Sequence, residues 1–196
     1  YGTRLRPLTD IMPKPLLPLC GKPMIDIVLD RLFDAGVEVA CVNTHHLGAM
    51  MASHLAPLAE AGKVKLFNEE SILGTGGPLV NAKKILSDCD AFILHNGDIV
   101  ADFDLKAMLK KHIESKSVVT MALIDGPENR VLSDRGSVLD ILGKLKIESD
   151  SAKMMTYAGI SVFSPEIFKF LPQEPCCCSI IDAILGAMAE RPGSVG

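Results

Sequence analysis

Between Lys22 and Gly36 the residues Ile25, Val28, Leu29, Leu32 and Phe33 recur at i, i+3, i+4, i+7 and i+8, the spacing of one helix face. Pro23 suits a first helical turn and Gly36 a C′ position, so this segment is predicted to be a helix closed at both ends. The β-branched run 37–43 reads as a strand. Leu47, Met50, Met51, His54, Leu55 and Leu58 share a face of a second helix over 47–61, with both methionines predicted to fill core. Further strands are predicted at 64–68, 91–95, 118–124, 138–142 and 157–163. Helices are expected at 78–86, after Asp104 as N-cap, near 165–171, and over 179–190. The turn-rich stretch 126–136 suits a hairpin or insertion.

Strands alternating with helices imply βαβ units, hence an α/β, Rossmann-like, mostly parallel sheet with helices on both faces. The 196 residues fit one domain, since a single core can extend to about 250 residues. With 48% apolar residues and a mean hydropathy of +0.28, there is ample material for a core. The longest apolar runs fall well short of the ~18 residues that a membrane helix requires. Tyr1-Gly2-Thr3-Arg4 lacks the layout of a signal peptide.

Charge narrows the partners. The net charge is −4 with no Trp, which argues against a nucleic-acid binder. Residues 1–25 nevertheless carry Arg4, Arg6, Lys14 and Lys22 against Asp10 alone, a basic island suited to a local anion site. The six cysteines include the run Cys176-Cys177-Cys178 but no C-x-x-C spacing. Free thiols in a reducing cytoplasm are the simplest expectation.

Three segments could carry chemistry at strand ends, where open α/β sheets bind ligands. In Gly2-Thr3-Arg4-Leu5-Arg6-Pro7-Leu8-Thr9, a glycine turn would offer backbone N–H groups to a phosphate and an arginine would offer a bidentate clamp. Lys14 follows, stiffened between Pro13 and Pro15. A solvated basic turn would show the same residues, and no G-x-x-x-x-G-K-[ST] is present. In Leu73-Gly74-Thr75-Gly76-Gly77, three glycines would admit a base or ribose, although tight turns share that pattern. Glu69, just ahead, could accept hydrogen bonds from a base edge, where guanine offers two adjacent donors and uracil one. In Asn96-Gly97-Asp98, a carboxylate after a buried strand suits one ligand of a hard divalent ion, and equally a turn cap. His54 and His112 lie on apolar faces and read as core or boundary residues; His45 and His46 would cap a helix or border a pocket.

In order, these segments resemble the sugar-1-phosphate nucleotidyltransferases, also called nucleoside-diphosphate-sugar pyrophosphorylases. Their signature is G-x-G-T-R-L-x-P-L-T, P-K-P-L, a following lysine, L-G-T-x-G and a strand-end G-D. The chain has Gly2-Thr3-Arg4-Leu5-Arg6-Pro7-Leu8-Thr9, Pro13-Lys14-Pro15-Leu16, Lys22, Leu73-Gly74-Thr75-Gly76 and Gly97-Asp98. Thr156 to Phe163 is similar to the family's sugar-site strand. The resemblance implies an enzyme joining an NTP to a sugar-1-phosphate with release of pyrophosphate, by positioning and charge neutralisation. It implies catalytic roles for Arg4, Lys14 and Asp98, with Asp98 also holding Mg²⁺. It implies nucleotide contacts at Gly2, Thr3, Glu69, Gly74 and Thr75, and sugar contacts at Tyr157 and Gly159. Partners would be the NTP and sugar phosphate, with no nucleic acid or membrane, and a homo-oligomer is compatible with the family. Relative to that pattern, the first strand and a second metal-binding aspartate are expected to lie outside residues 1–196. A non-catalytic nucleotide-sugar-binding subunit, or transfer to a phosphorylated alcohol such as phosphocholine, are the alternatives.

Overall fold

The computed structural model describes residues 3–196, whose contacts form two compact units. One comprises the residues up to Ile72 together with Asn96–Lys106; the other comprises Leu73–His95 and Ala107–Gly196.

The first unit opens with a 3₁₀ turn (Thr3–Leu5), α1 (Leu8–Ile11) and a second 3₁₀ turn (Lys14–Leu16). A short antiparallel hairpin follows, β1 (Pro18–Leu19) and β2 (Lys22–Pro23), and leads into α2 (Met24–Asp34). Pro23 is therefore the N-cap of α2 rather than a residue of its first turn, because the hairpin occupies the two residues before the helix. At the other end, Val37 N–H donates to Leu32 O (3.1 Å) and Gly36 N–H to Phe33 O (2.9 Å), a Schellman closure. Gly36 takes φ +98°, which explains the glycine.

Then come β3 (Ala40–Thr44), α3 (Gly48–Glu60) and β4 (Val64–Asn68), a βαβ unit whose strands pair in parallel from Ala40↔Val64 to Thr44↔Asn68. The core side of α2 is Ile25, Val28, Leu29 and Leu32, each worth about 1.5–3 kcal/mol when buried. Met51 and Leu55 of α3 are buried, but Met50 is 38% exposed. The two methionines are about 100° apart around the helix, and the buried face of α3 takes in Met51 and Leu55 while Met50 lies past its edge. His54 likewise lies at the surface, its Nε2 2.7 Å from Asp26 Oδ1.

In the second unit α4 (Gly77–Leu86) leads to β5 (Phe92–His95), and α5 (Leu105–Ser115), which belongs to this unit from Ala107 onward, leads to β6 (Val119–Ile124). The hairpin β7 (Val131–Asp134) and β8 (Ser137–Ile141) answers the turn-rich stretch. Its turn residues Arg135 and Gly136 both have φ > 0, as a type I′ turn requires. The chain then forms β9 (Lys153–Phe163), a 3₁₀ turn (Pro165–Lys169) and α6 (Ile180–Glu190).

The fold is α/β and Rossmann-like, with strand directions more mixed than βαβ alternation implies. β9 pairs antiparallel with β5, β6 and β7. Since β5 and β6 both oppose β9, they run parallel to each other on either side of it. At 11 residues, β9 is long enough to change partners along its length: residues 161–163 lie between β5 and β6, whereas 153–155 pair with β7. The register against β6 shifts between Met121 and Leu123, opposite Gly159 at φ +79°, a bulge that only glycine accepts without strain. The core of this unit stacks Phe92 on Phe163 and Phe168 at centroid distances of 5.5 and 5.7 Å.

Candidate active site

The first unit gathers its polar residues at strand ends. Because β3 and β4 are parallel and in register, their carboxyl ends coincide, and His45 and Glu69 each follow a strand end. Glu69 N–H donates to Thr44 O (2.8 Å), and His45 Nδ1 lies 2.8 Å from Glu69 O. These two bonds hold the Glu69 backbone at both its N–H and its carbonyl, and the residue is buried at 6% exposure. His46 Nε2 lies 2.9 Å from Thr9 O, tying the basic N-terminal strap to the end of β3. A neutral imidazole reaching a carbonyl presents its protonated nitrogen there.

Lys14 and Asp98 meet although 84 residues separate them. Lys14 Nζ donates to Asp98 Oδ2 at 2.5 Å, with side-chain exposures of 30% and 35%. Gly97 lies beside Ile25 and Pro15: a Cβ there would stand in ordinary contact, 3.5 Å from Ile25 Cδ1 and 3.8 Å from Pro15 Cγ. The strand-end turn thus rests on the proline beside Lys14, and an Ile99 N–H to Asn96 O bond closes it (3.2 Å). Arg31 fixes the segment further along by donating to Phe103 O (2.7 Å). Asp102 forms an ion pair with Arg31 at 3.6 Å.

Arg4 is exposed on the first 3₁₀ turn. Gly2 and the side chain of Thr3 lie outside the described residues. Lys22 forms an ion pair with Asp30 of α2, and that hydrogen bond raises its pKa. Its position in the hairpin ahead of α2 accounts for it structurally.

In the second unit the glycine loop is built against the cysteine run. Gly74 has φ +75° and pairs with Cys178 as an isolated parallel bridge; a Cβ on Gly74 would collide with Cys178 O. Cys178 N–H donates to Leu73 O (3.0 Å), and Gly76 N–H donates to Cys178 O (2.9 Å). Thr75 Oγ1 accepts from Ile180 N–H (3.0 Å), and Ser179 Oγ accepts from Ile181 N–H (3.2 Å), so two hydroxyls cap α6. The glycine pattern therefore has a packing reason that a single sequence conceals, because Cys178 is about a hundred residues away.

Tyr157 and Gly159 sit on one strand across the bulge. Ser161 Oγ donates to Tyr157 Oη (2.7 Å), and burial pushes the Tyr157 phenol above its usual range. Lys144 Nζ lies 2.6 Å from Asp182 Oδ1 of α6. His112 is a core histidine, buried with Nδ1 2.9 Å from Thr120 Oγ1, and desolvation lowers its pKa. The contacts of His46 with Thr9 and of Thr75 with Ile180 have no local sequence signal, since each joins segments distant in the chain.

No group of three or more His, Cys, Asp or Glu side chains converges on a metal-sized site among the described residues. All six cysteines are free thiols. Among the described residues no helix is long and apolar enough to cross a membrane.

Comparison with known proteins places these segments in a family. The description "Nucleotidyl transferase" applies to a family match over residues 1–174. A mannose-1-phosphate guanylyltransferase catalytic subunit beta from Danio rerio is 30% identical across 97% of this chain and 54% of its own length. A mannose-1-phosphate guanylyltransferase from Mycobacterium tuberculosis is 30% identical across 88% of this chain and 48% of its own. The chain thus spans about half the length of these curated relatives. Among solved structures, a Bacillus anthracis protein named for glucose-1-phosphate thymidylyltransferase, in complex with sucrose, superposes with a TM-score of 0.79 at 20% identity. That match covers 99% of this chain and 80% of the other. HddC from Yersinia pseudotuberculosis, complexed with GMP-PN, gives 0.67 at 21% identity, covering 87% and 74%. The ordered motifs, the match over residues 1–174 and the shared fold agree: the chain belongs to the nucleotidyl transferase family.

Proposed function

We propose that the protein transfers a nucleoside monophosphate from an NTP to a sugar-1-phosphate, giving an NDP-sugar and pyrophosphate, with residues 1–196 as the catalytic core. The observation that carries this reading is the Lys14–Asp98 contact, which sets an ammonium and a carboxylate side by side, each about one-third exposed, at a strand end. Such a pair is suited to a phosphoryl-transfer site, where the ammonium neutralises phosphate oxygens and the carboxylate faces a cation.

In this reaction an oxygen of the sugar-1-phosphate attacks the α-phosphorus in line, the bond from that phosphorus to the bridging oxygen breaks, and pyrophosphate leaves. Arg4, exposed on the strap, offers its guanidinium fork to the departing pyrophosphate. Lys14 lies against the reacting phosphates and holds charge as it develops. Gly2, Thr3, Glu69, Gly74 and Thr75 frame the nucleotide; for Thr75 the contribution is its backbone, because its hydroxyl caps α6. Tyr157 and Gly159 border the sugar. Asp98 offers one carboxylate, which fits Mg²⁺, an ion that takes one or two protein carboxylates and fills its octahedron with water and phosphate oxygens. When bound, the ion supplies charge neutralisation at the triphosphate.

GTP and mannose-1-phosphate are the first pair to test, since relatives are named for that reaction and Glu69 could accept from both guanine donors. The test is pyrophosphate release across a matrix of four NTPs and several sugar-1-phosphates with Mg²⁺. Turnover with one preferred pair, reduced about 100-fold or more by Asp98→Asn, is the expected result. Tight binding of an NDP-sugar with no pyrophosphate from any pair would favour a non-catalytic subunit instead, and turnover only with phosphocholine would redirect the acceptor.

A further inference from the structure

We propose that Cys176 and Cys178 form a reversible intramolecular disulfide that loosens the Leu73–Gly77 loop, making this run a redox modification site. The consequence for nucleotide binding rests on the function proposed above; formation of the bond does not.

The run is reachable and local geometry selects its partners. Cys176 and Cys177 are exposed, and Cys178 is half-buried. The chain bends at Cys177, which turns Cys176 and Cys178 toward the same side of the segment. A bond between adjacent cysteines would distort the intervening peptide, whereas residues two apart on one side of a bend can approach the Cβ separation of about 3.5–4.5 Å that a disulfide needs.

The same segment holds the loop. Its hydrogen bonds to the loop run through the backbone of Cys178, which donates to Leu73 O and accepts from Gly76 N–H, while Gly74 lies flush against the Cys178 carbonyl. The Cys178 sulfur itself packs on Gly76, 2.8 Å from where a Cβ would stand. Turning that sulfur toward Cys176 lifts it from Gly76 and twists the residue that makes both bonds. Burial and the neighbouring thiols raise the Cys178 pKa, so the exposed Cys176 is the better initial nucleophile.

With glutathione disulfide as oxidant, the Cys176 thiolate attacks one sulfur and expels a glutathione thiolate, leaving a mixed disulfide. Cys178 then loses its proton to solvent and attacks the Cys176 sulfur, expelling the second glutathione. Two protein thiols are oxidised, one glutathione disulfide is reduced to two glutathiones, and dithiothreitol reverses the sequence.

The reduced protein is incubated with glutathione disulfide, blocked with N-ethylmaleimide and digested, and tandem mass spectrometry locates the bond. Expected are a loss of two titratable thiols per chain at Cys176 and Cys178, its retention in Cys177→Ser, and its absence in Cys176→Ser and Cys178→Ser. Hydrogen exchange at the amides of Gly76 and Cys178 should quicken about tenfold on oxidation and recover with dithiothreitol. Stable glutathione adducts without a bridge, bonds between chains on a non-reducing gel, or a bridge that leaves exchange unchanged would each overturn the proposal. An unchanged KM for NTP alongside the bridge and faster exchange would instead count against the loop's assignment to the nucleotide.

Discussion

Replacing Gly74 by alanine separates the two reasons for a glycine at that position. One is conformational: φ is +75°, where a Cβ costs about 1–2 kcal/mol. The other is steric: the added Cβ would collide with Cys178 O, the acceptor for Gly76 N–H. Relief of that clash separates the loop from residue 178 and forfeits about 0.5–1.5 kcal/mol for each hydrogen bond lost. With both bonds between the loop and residue 178 lost, Gly74→Ala should therefore destabilise by about 2–5 kcal/mol. Gly136→Ala in the β7–β8 turn is the control, with φ +84° and nothing within 4 Å of its would-be Cβ, so only the conformational cost of about 1–2 kcal/mol applies. Both variants lie in the same compact unit, and urea unfolding followed by circular dichroism compares them directly. Equal losses would refute the claim that the glycine loop is built against the cysteine run.

Three other substitutions probe separate parts of the account. Tyr157→Phe removes the acceptor of the Ser161 hydroxyl, a residue 1% exposed, and should cost about 1–3 kcal/mol in urea unfolding. The double variant with Ser161→Ala should recover most of it, since removing both partners leaves no unsatisfied group; no recovery would refute the pairing. His112 has a folded-state pKa below its usual 6.5, so the unfolded chain binds the extra proton first and stability falls as pH drops below about 6.5. Stability should decline at up to about 1.4 kcal/mol per pH unit relative to His112→Asn, and parallel pH profiles would contradict this. Lys14→Met should lower kcat/KM by about 100-fold or more while preserving the unfolding midpoint within a few degrees; unaltered turnover would remove Lys14 from the site.

What was legible in the sequence follows the range of the interactions concerned. The face of α2 and the closure at Gly36 are local, set by residues within a few turns, and the structure reproduces both. The strand at Val64–Asn68 and the capped start of α6 are local in the same sense. Strand direction is not: β9 enters antiparallel between β5 and β6, a choice made by long-range pairing that periodicity does not encode. Met50 shows the limit of reading a face without knowing its width. At the site, the ordered motifs carried the resemblance, but only the fold reveals that Lys14 meets Asp98 and that Thr75 caps a helix a hundred residues on. Gly159 is a further instance, where a residue flagged for sugar contact also has a backbone reason in the bulge.

The central claim is nucleotidyl transfer, and the most direct test follows the α-phosphorus. GTP labelled at that position is incubated with mannose-1-phosphate, Mg²⁺ and the protein, and the products are separated. Label recovered in a GDP-sugar, with one pyrophosphate released for each and loss of about 100-fold or more in both Lys14→Met and Asp98→Asn, is the expected result. Label recovered only as GMP, or transfer that both variants sustain at the wild-type rate, would contradict it.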